Sequence, residues 1–355
     1  MGAIFGHLNV KDSDRVYNST VGQQVLYDAA RKYIADASNA LAASLGIFVD
    51  SSTDKHTERF RLPGSGYLQR RGNNGRYGAV KSLGSWDVAY PLEDFGAQIA
   101  SNDVDMAYML VGDLEMALQT VLIHNVNTVR YELFKSLLNK TNATYVDQLW
   151  GSLTIRRLAN TDGTLYPPVV GAEDPAEATN YFGINNATID ATHNPYVNAK
   201  NLFESYFGAP SGGIPMVTFI HRDQEATTRS LANFVALPPT IVRVGDDTDT
   251  VAGLPNVPGT IIGSADGTWV SIYPWMPTGY TLSVALNAPA PLKKRVDPAD
   301  TGLGSDLQLV AVDEKFPFQG SFWRNRFGFG VSNRLNGVAQ QVVASTTYTT
   351  PSAYA

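Results

Sequence analysis

Apolar positions along this chain switch between helical and strand-like spacing, and each switch marks an element. In "VGQQVLYDAARKYIADASNALAASLGIF", Val25, Leu26, Ala29, Tyr33, Ala37, Leu41 and Leu45 recur at helical spacing. Thr20 is suited to N-cap this segment and Gly46 to stop it, so an amphipathic helix is predicted, preceded by an extended polar arm over residues 1–19. From about Ile47 to Pro91 the period shortens to alternation. "TERFRL" and "AVKSLGSWDVAYPL" read as two strands, with "RRGNNGRYG" as the tip between them, because Asn-Gly favours the hairpin turn. At about ten residues per strand such a hairpin reaches roughly 33 Å. It is too long to bury both faces on its own chain and is expected to project.

The strongest helical pattern follows, from Asp103 to Asn139. Ala107, Leu110, Leu114, Ala117, Leu118, Val121, Leu122, Val129 and Leu133 form one stripe, with Asp103 and Asp105 at the start and Lys135 and Lys140 near the other end, where the helix dipole favours them. Such a helix runs about 55 Å, enough to span a domain. Residues 150–315 are mixed and punctuated by Pro and Gly. Met216 to Ile220 reads as a buried strand turning into a helix from Asp223 to Phe234, and "GTIIG", "TWVSIYP", "YTLSVAL" and "LQLVAVDE" read as later strands. "GSFWRNRFGFGVSNRLNGVAQQVVAS" reads as strands returning to the body, and the Thr/Tyr/Pro-rich residues after Ser345 are expected to fray.

Composition supports a sizeable core, since 44% of the 355 residues are hydrophobic. Only 17% are charged, so the surface is expected to be covered in part by something else. There is no cysteine, which excludes disulfides and thiolate metal sites. The N-terminal segment lacks the apolar core of a signal peptide, and no window approaches the length of a membrane span. The sequons at Asn18, Asn139, Asn142 and Asn186 are read as chance matches.

Enzyme chemistry finds no foothold. The phosphate-loop, nucleophile-elbow and zincin motifs are absent, and His7, His56, His124, His193 and His221 are scattered. His221, beside Arg222 and Asp223, could orient a base or cap a turn. "GDDTDT", from Gly245 to Thr250, gathers carboxylates without the spacing of a calcium loop and reads as a solvated turn. No catalytic residue, cofactor or metal is therefore assigned.

Charge is the feature left over in a chain of net charge -6. From Lys55 to Lys81 there are seven bases against Glu58 alone. From Ser82 to Val129 there are seven acids, namely Asp87, Glu93, Asp94, Asp103, Asp105, Asp113 and Glu115, and no Lys or Arg. The basic hairpin could be a solvated loop, a nucleic-acid platform with Tyr67 and Tyr77 among its arginines, or a phosphate cradle. A fourth reading sets Arg61, Arg70, Arg71, Arg76 and Lys81 on the acidic block of a neighbouring copy. It is preferred because no nucleic-acid motif is present and the glycines sit at a hairpin tip. Donor and acceptor surfaces then differ, and such heterologous contacts close into rings or shells.

The order of elements resembles the major capsid protein of tailed bacteriophages, the Hong Kong 97-type fold. The matching stretches are the extended loop, the helix after "YPLEDFGAQIASNDVD", the strand-turn-helix "VTFIHRDQEATTRSL" and "FWRNRFGFGVSNRLNGVAQQ". The resemblance implies an α+β chain divided into an N-terminal arm (1–22), an N-terminal helix (23–46), an extended loop (47–95), a peripheral domain with a spine helix (96–149 and 315–345), an axial domain (150–314) and a tail (346–355). It implies pentamers and hexamers of an icosahedral shell around double-stranded DNA, which is met without sequence readout. Portal, scaffold and decoration or cement proteins would be further partners, with assembly in the host cytoplasm, location in the virion and no membrane. Some members cross-link a loop Lys to a C-terminal Asn; Lys81, Asn333 and Asn336 are the residues of those types here. The alternatives are an encapsulin-type bacterial nanocompartment, similar in fold, and a soluble α/β enzyme.

Overall fold

The computed structural model describes Lys32, 45–62, Leu68, Arg70, Arg71, Gly75, 84–102, 111–160, 179–207, 214–237, 257–297, 307–313 and 318–355. Two compact units divide the chain: Met1–Ala43, Leu92–Glu132 and Arg295–Gly328 form the first, and Ser44–Pro91, Leu133–Lys294 and Phe329–Ala355 the second.

In the first unit a helix packs on a sheet. The helix α1 covers Val111–Leu138, and its division between the units falls after Glu132. Leu114, Leu118, Val121 and Leu122, spaced to share one face, bury against Leu307, Leu309 and Trp323, with Ala97 and Ile99 packed alongside. The sheet places β4 (Glu93–Asn102) and β14 (Gln308–Asp313) each antiparallel to β15 (Phe318–Val331), from Glu93 opposite Phe327 to Asn102 opposite Phe318 in the first pair. From Glu93 to Ile99 exposure alternates residue by residue, the signature of a strand with one covered face. In β15 the same alternation holds from Ser321 to Phe327 and then gives way to continuous burial through Val331.

The second unit is built on a seven-stranded sheet. Its strands are β7 (Tyr181–Gly183), β8 (Met216–Ile220), β9 (Phe234–Ala236), β10 (Thr260–Ala265), β11 (Thr268–Ile272), β12 (Tyr280–Ala285) and β16 (Val338–Gln341), in the order β7-β16-β12-β8-β11-β10-β9. Every residue of β8 and β12 is buried, as expected of strands covered on both faces. One buried hydroxyl from each strand pairs across the ladder, Thr218 with Ser283 at 2.8 Å. Helix α2 (Pro195–Phe207) lays Ala199 and Phe203 on Met216, Ala285 and Val338. Asn194 caps it, its Oδ1 accepting from the amides of Tyr196 and Val197, and Pro195 opens it without wasting a donor. β1 (Val49–Thr53) follows Phe48, whose ring meets Phe134 and Phe219 at 5.9 and 5.1 Å.

Two predicted features came out differently. The helix expected from Asp223 to Phe234 is instead a 3-10 turn, Arg222–Gln224, followed by the short α3, Glu225–Arg229. Sheet pairing overrides helical periodicity there: Phe234 pairs with Ala265, and Asn233 donates to Asp266 Oδ1 at 2.8 Å. The segment after Ser345 does not fray. Tyr348 and Tyr354 are buried and each phenol donates to a distant carbonyl, of Leu138 at 2.7 Å and of Trp275 at 2.8 Å. Asn139 Nδ2 in turn donates to Tyr354 O at 2.9 Å.

Candidate subunit-contact surfaces

The sequence-predicted hairpin is present at its root. β2 (Thr57–Leu62) and β3 (Gly84–Ala89) pair antiparallel from Thr57 opposite Ala89 to Leu62 opposite Gly84. A half-buried knot fixes this root. The carboxylate of Glu58 accepts from Lys293 Nζ at 2.9 Å, the Tyr90 hydroxyl at 3.0 Å and Thr53 Oγ1 at 3.3 Å. Burial alone would raise the Glu58 pKa, but the hydrogen bonds from Lys293 and Tyr90 and the Lys293 charge outweigh it, so the group titrates below the ordinary glutamate range. Tyr90 is buried, and its ring fills the space that a side chain at residue 330 would need, which only Gly330 leaves open.

Of the predicted basic contacts, Arg61 is exposed on β2, and Arg70 and Arg71 are exposed beyond it; Arg76 and Lys81 lie outside the described residues. Leu68, among them, is 96% exposed. The acids separate. Asp87 sits in β3, opposite Arg59, whose Nε and Nη2 bind its two oxygens at 2.6 and 2.8 Å. The Arg59 hydrogen bond holds the Asp87 carboxyl below its usual range. Asp94 is exposed on β4 in the other unit, 3.8 Å from Arg326, which also binds the carboxylate of Asp297. Glu93 is half-buried beside it, and Asp113 and Glu115 are exposed near the start of α1, where Gln119 reaches Glu115 at 3.5 Å. Asp103 and Asp105 lie outside the described residues. The acid-only run of sequence is thus divided between the two units, and two of its members already carry arginine partners from their own unit.

Sequence reasoning missed a third surface. β5 (Ala143–Asp147) and β6 (Gly151–Ile155) form a tight hairpin in the second unit. Its turn leaves Val146, Leu149 and Trp150 at 71%, 86% and 57% exposure. Asp147 Oδ1 accepts from the amides of Leu149 and Trp150 at 2.9 and 3.2 Å, and Gly151 adopts a φ of +75°. Three apolar residues inside "VDQLWGS" carry no periodicity, so the only available signal was an Asp-to-Gly turn holding Leu and Trp.

Three of the described histidines make structural contacts. His56 stacks on Trp150, His124 is exposed on α1, His193 bonds to Asp190, and His221 Nδ1 caps the 3-10 turn by accepting from the Asp223 amide at 3.2 Å; His7 lies outside the described residues. "GDDTDT" lies outside them too. Among the described residues no three His, Asp or Glu gather as a metal site. Asn336 is fully buried, its amide donating to Ala285 O and Pro289 O and accepting from Ala285 N, whereas Asn333 is half-buried and donates to Pro289 O. No helix among the described residues is long and apolar enough to cross a membrane.

No protein-family model matches the chain, and no curated protein sequence matches it either. Solved structures do. A chain from Mycobacterium phage Patience aligns over 99% of this chain and 98% of its own length, with a TM-score of 0.71 at 17% identity. Looser likenesses include the cyanophage A-1(L) capsid (85% of this chain, 92% of that one, 13% identity, TM-score 0.47). Another is the bacteriophage PhiM1 mature capsid (82% and 85%, 9% identity, TM-score 0.47). The chain therefore has the Hong Kong 97-type fold, an α+β architecture.

Proposed function

We propose that the chain is a major capsid protein of a tailed bacteriophage, building pentamers and hexamers of an icosahedral shell around double-stranded DNA. The observation that carries this is the end-to-end agreement of fold with the Patience chain, 99% against 98%, with no large segment of either left over. Three further features support it. A hairpin rooted at the half-buried Glu58 carboxylate bears the exposed Arg61, only 17% of the chain's residues are charged, and His56, His193 and His221 are engaged in a ring stack, a carboxylate bond and a turn cap. The division into arm, extended loop, peripheral domain and axial domain, with the basic loop set on acids of the next copy, belongs to the same reading. So do its remaining partners, namely portal, scaffold and decoration proteins and packaged DNA, and its place in the virion after assembly in the host cytoplasm.

Electron microscopy of the protein from its native source tests the proposal. Icosahedral particles of megadalton mass containing double-stranded DNA are expected. A permanently monomeric native protein overturns shell formation, and particles filled with protein cargo and free of nucleic acid replace the capsid by an encapsulin-type compartment.

A further inference from the structure

We propose that the tip of the β5–β6 hairpin is the apolar anchor by which this chain docks on a second copy of itself. The inference rests on the shell-forming reading and deepens it. Val146, Leu149 and Trp150 are exposed within five residues of one hairpin, and soluble monomers seldom leave such side chains together in water. The cluster is held rigidly. Asp147, itself buried, locks the turn through two amides, and the His56 ring lies flat on Trp150 at 3.9 Å with 3° between the planes. A pre-ordered tip loses little conformational freedom when it is covered.

The tip also continues the surface of the basic hairpin. His56 immediately precedes β2, β6 packs beside β3, and Arg156, the residue after β6, lies near enough to help hold the Asp87 carboxyl low. Area makes the two surfaces parts of one contact. Three side chains cover a few hundred Å², whereas a stable contact takes about 800 Å² from each partner. Exposed ion pairs, for their part, select a partner more than they hold it. Joined, they give the arrangement of durable interfaces, an apolar centre with Trp and Leu and a charged rim with Arg. Leu and Val offer nothing to a phosphate backbone, so nucleic acid does not fit this tip, and a second copy does.

The test uses the full chain under conditions in which the wild type forms particles. Leu149→Asp and Val146→Asp alter side chains that are largely in water, so the melting temperature should hold while the particle fraction in sedimentation falls at least about tenfold. A photo-cross-linking phenylalanine analogue placed at residue 149 should yield covalent dimers of the chain. Wild-type-like assembly of both variants, or cross-links only to a scaffold or to nucleic acid, overturns the anchor and leaves the shell reading standing. A native protein that never assembles overturns both.

Discussion

Arg59 and Asp87 stand opposite each other in the β2–β3 ladder and close a two-pronged ion pair across it. One base and one acid of the two oppositely charged blocks are thereby spent on each other inside the hairpin. On the proposed contact, the charges left to select a neighbour are Lys55, Arg61, Arg70 and Arg71 among the described residues. Replacing Arg59 by Gln together with Asp87 by Asn should therefore leave particle yield near wild type. Reversing Arg70, Arg71 and Arg76 to Glu should lower yield at least about tenfold with an unchanged melt. Equal yields from the two variants would show that charge does not choose the partner.

Tyr354 makes a second prediction. Its ring stacks 5.8 Å from Phe134 and is almost wholly buried. Tyr354→Ala should cost about 3–5 kcal/mol of stability, the loss for a large buried ring. Tyr354→Phe, which removes only the hydrogen bond to Trp275 O, should cost about 0.5–1.5 kcal/mol. Denaturant midpoints at constant slope measure both.

Gly330→Ala sets a methyl group against the Tyr90 ring. A cost of about 1–3 kcal/mol is expected from overpacking. Tyr90→Leu in the same chain should recover part of it, and a double-mutant cycle that proves additive would show that the two residues do not compete for that space.

Acid should loosen the root of the hairpin. The Glu58 carboxyl is held below the ordinary value of about 4.5, so its contribution is complete above that pH and disappears as pH falls through the lower folded-state value. Glu58→Gln should lower stability at neutral pH and flatten the decline below pH 4.5. Asp87 and Asp190, also depressed, titrate in the same acidic window, so some slope remains in the variant. A wild-type slope in Glu58→Gln would remove the knot from the account.

Local period made much of this fold legible. "TERFRL" coincides with β2, "MVTFI" with β8, and the stripe through Leu114, Leu118, Val121 and Leu122 with the buried face of α1. Missed features depend on residues far apart in sequence. Tyr348 looks like part of a frayed tail until Leu138, 210 residues earlier, supplies its carbonyl acceptor. Asn233 leaves the helical pattern because its side chain reaches Asp266 and the next residue, Phe234, pairs with Ala265 in the sheet. Charge counting placed the acids in one block, but register decides which base faces Asp87, and no count along the chain encodes register. The apolar tip at Leu149 and Trp150 escaped for a related reason, since a turn has no period to read.

One consequence concerns synthesis. β16 sits between β7 and β12, joined to Tyr181–Gly183 on one side and to Tyr280–Ser283 on the other. A nascent chain that has not yet reached Gln341 has both neighbours and a gap between them, with the Val338 side of the core open. The ribosome must deliver that strand before the second unit can close, and closing so distant a pairing is slow. Closure of the second unit is thereby postponed until Val338–Gln341 has been made, so that, on the proposed reading, a chain broken off before that strand has no finished unit to offer to other copies.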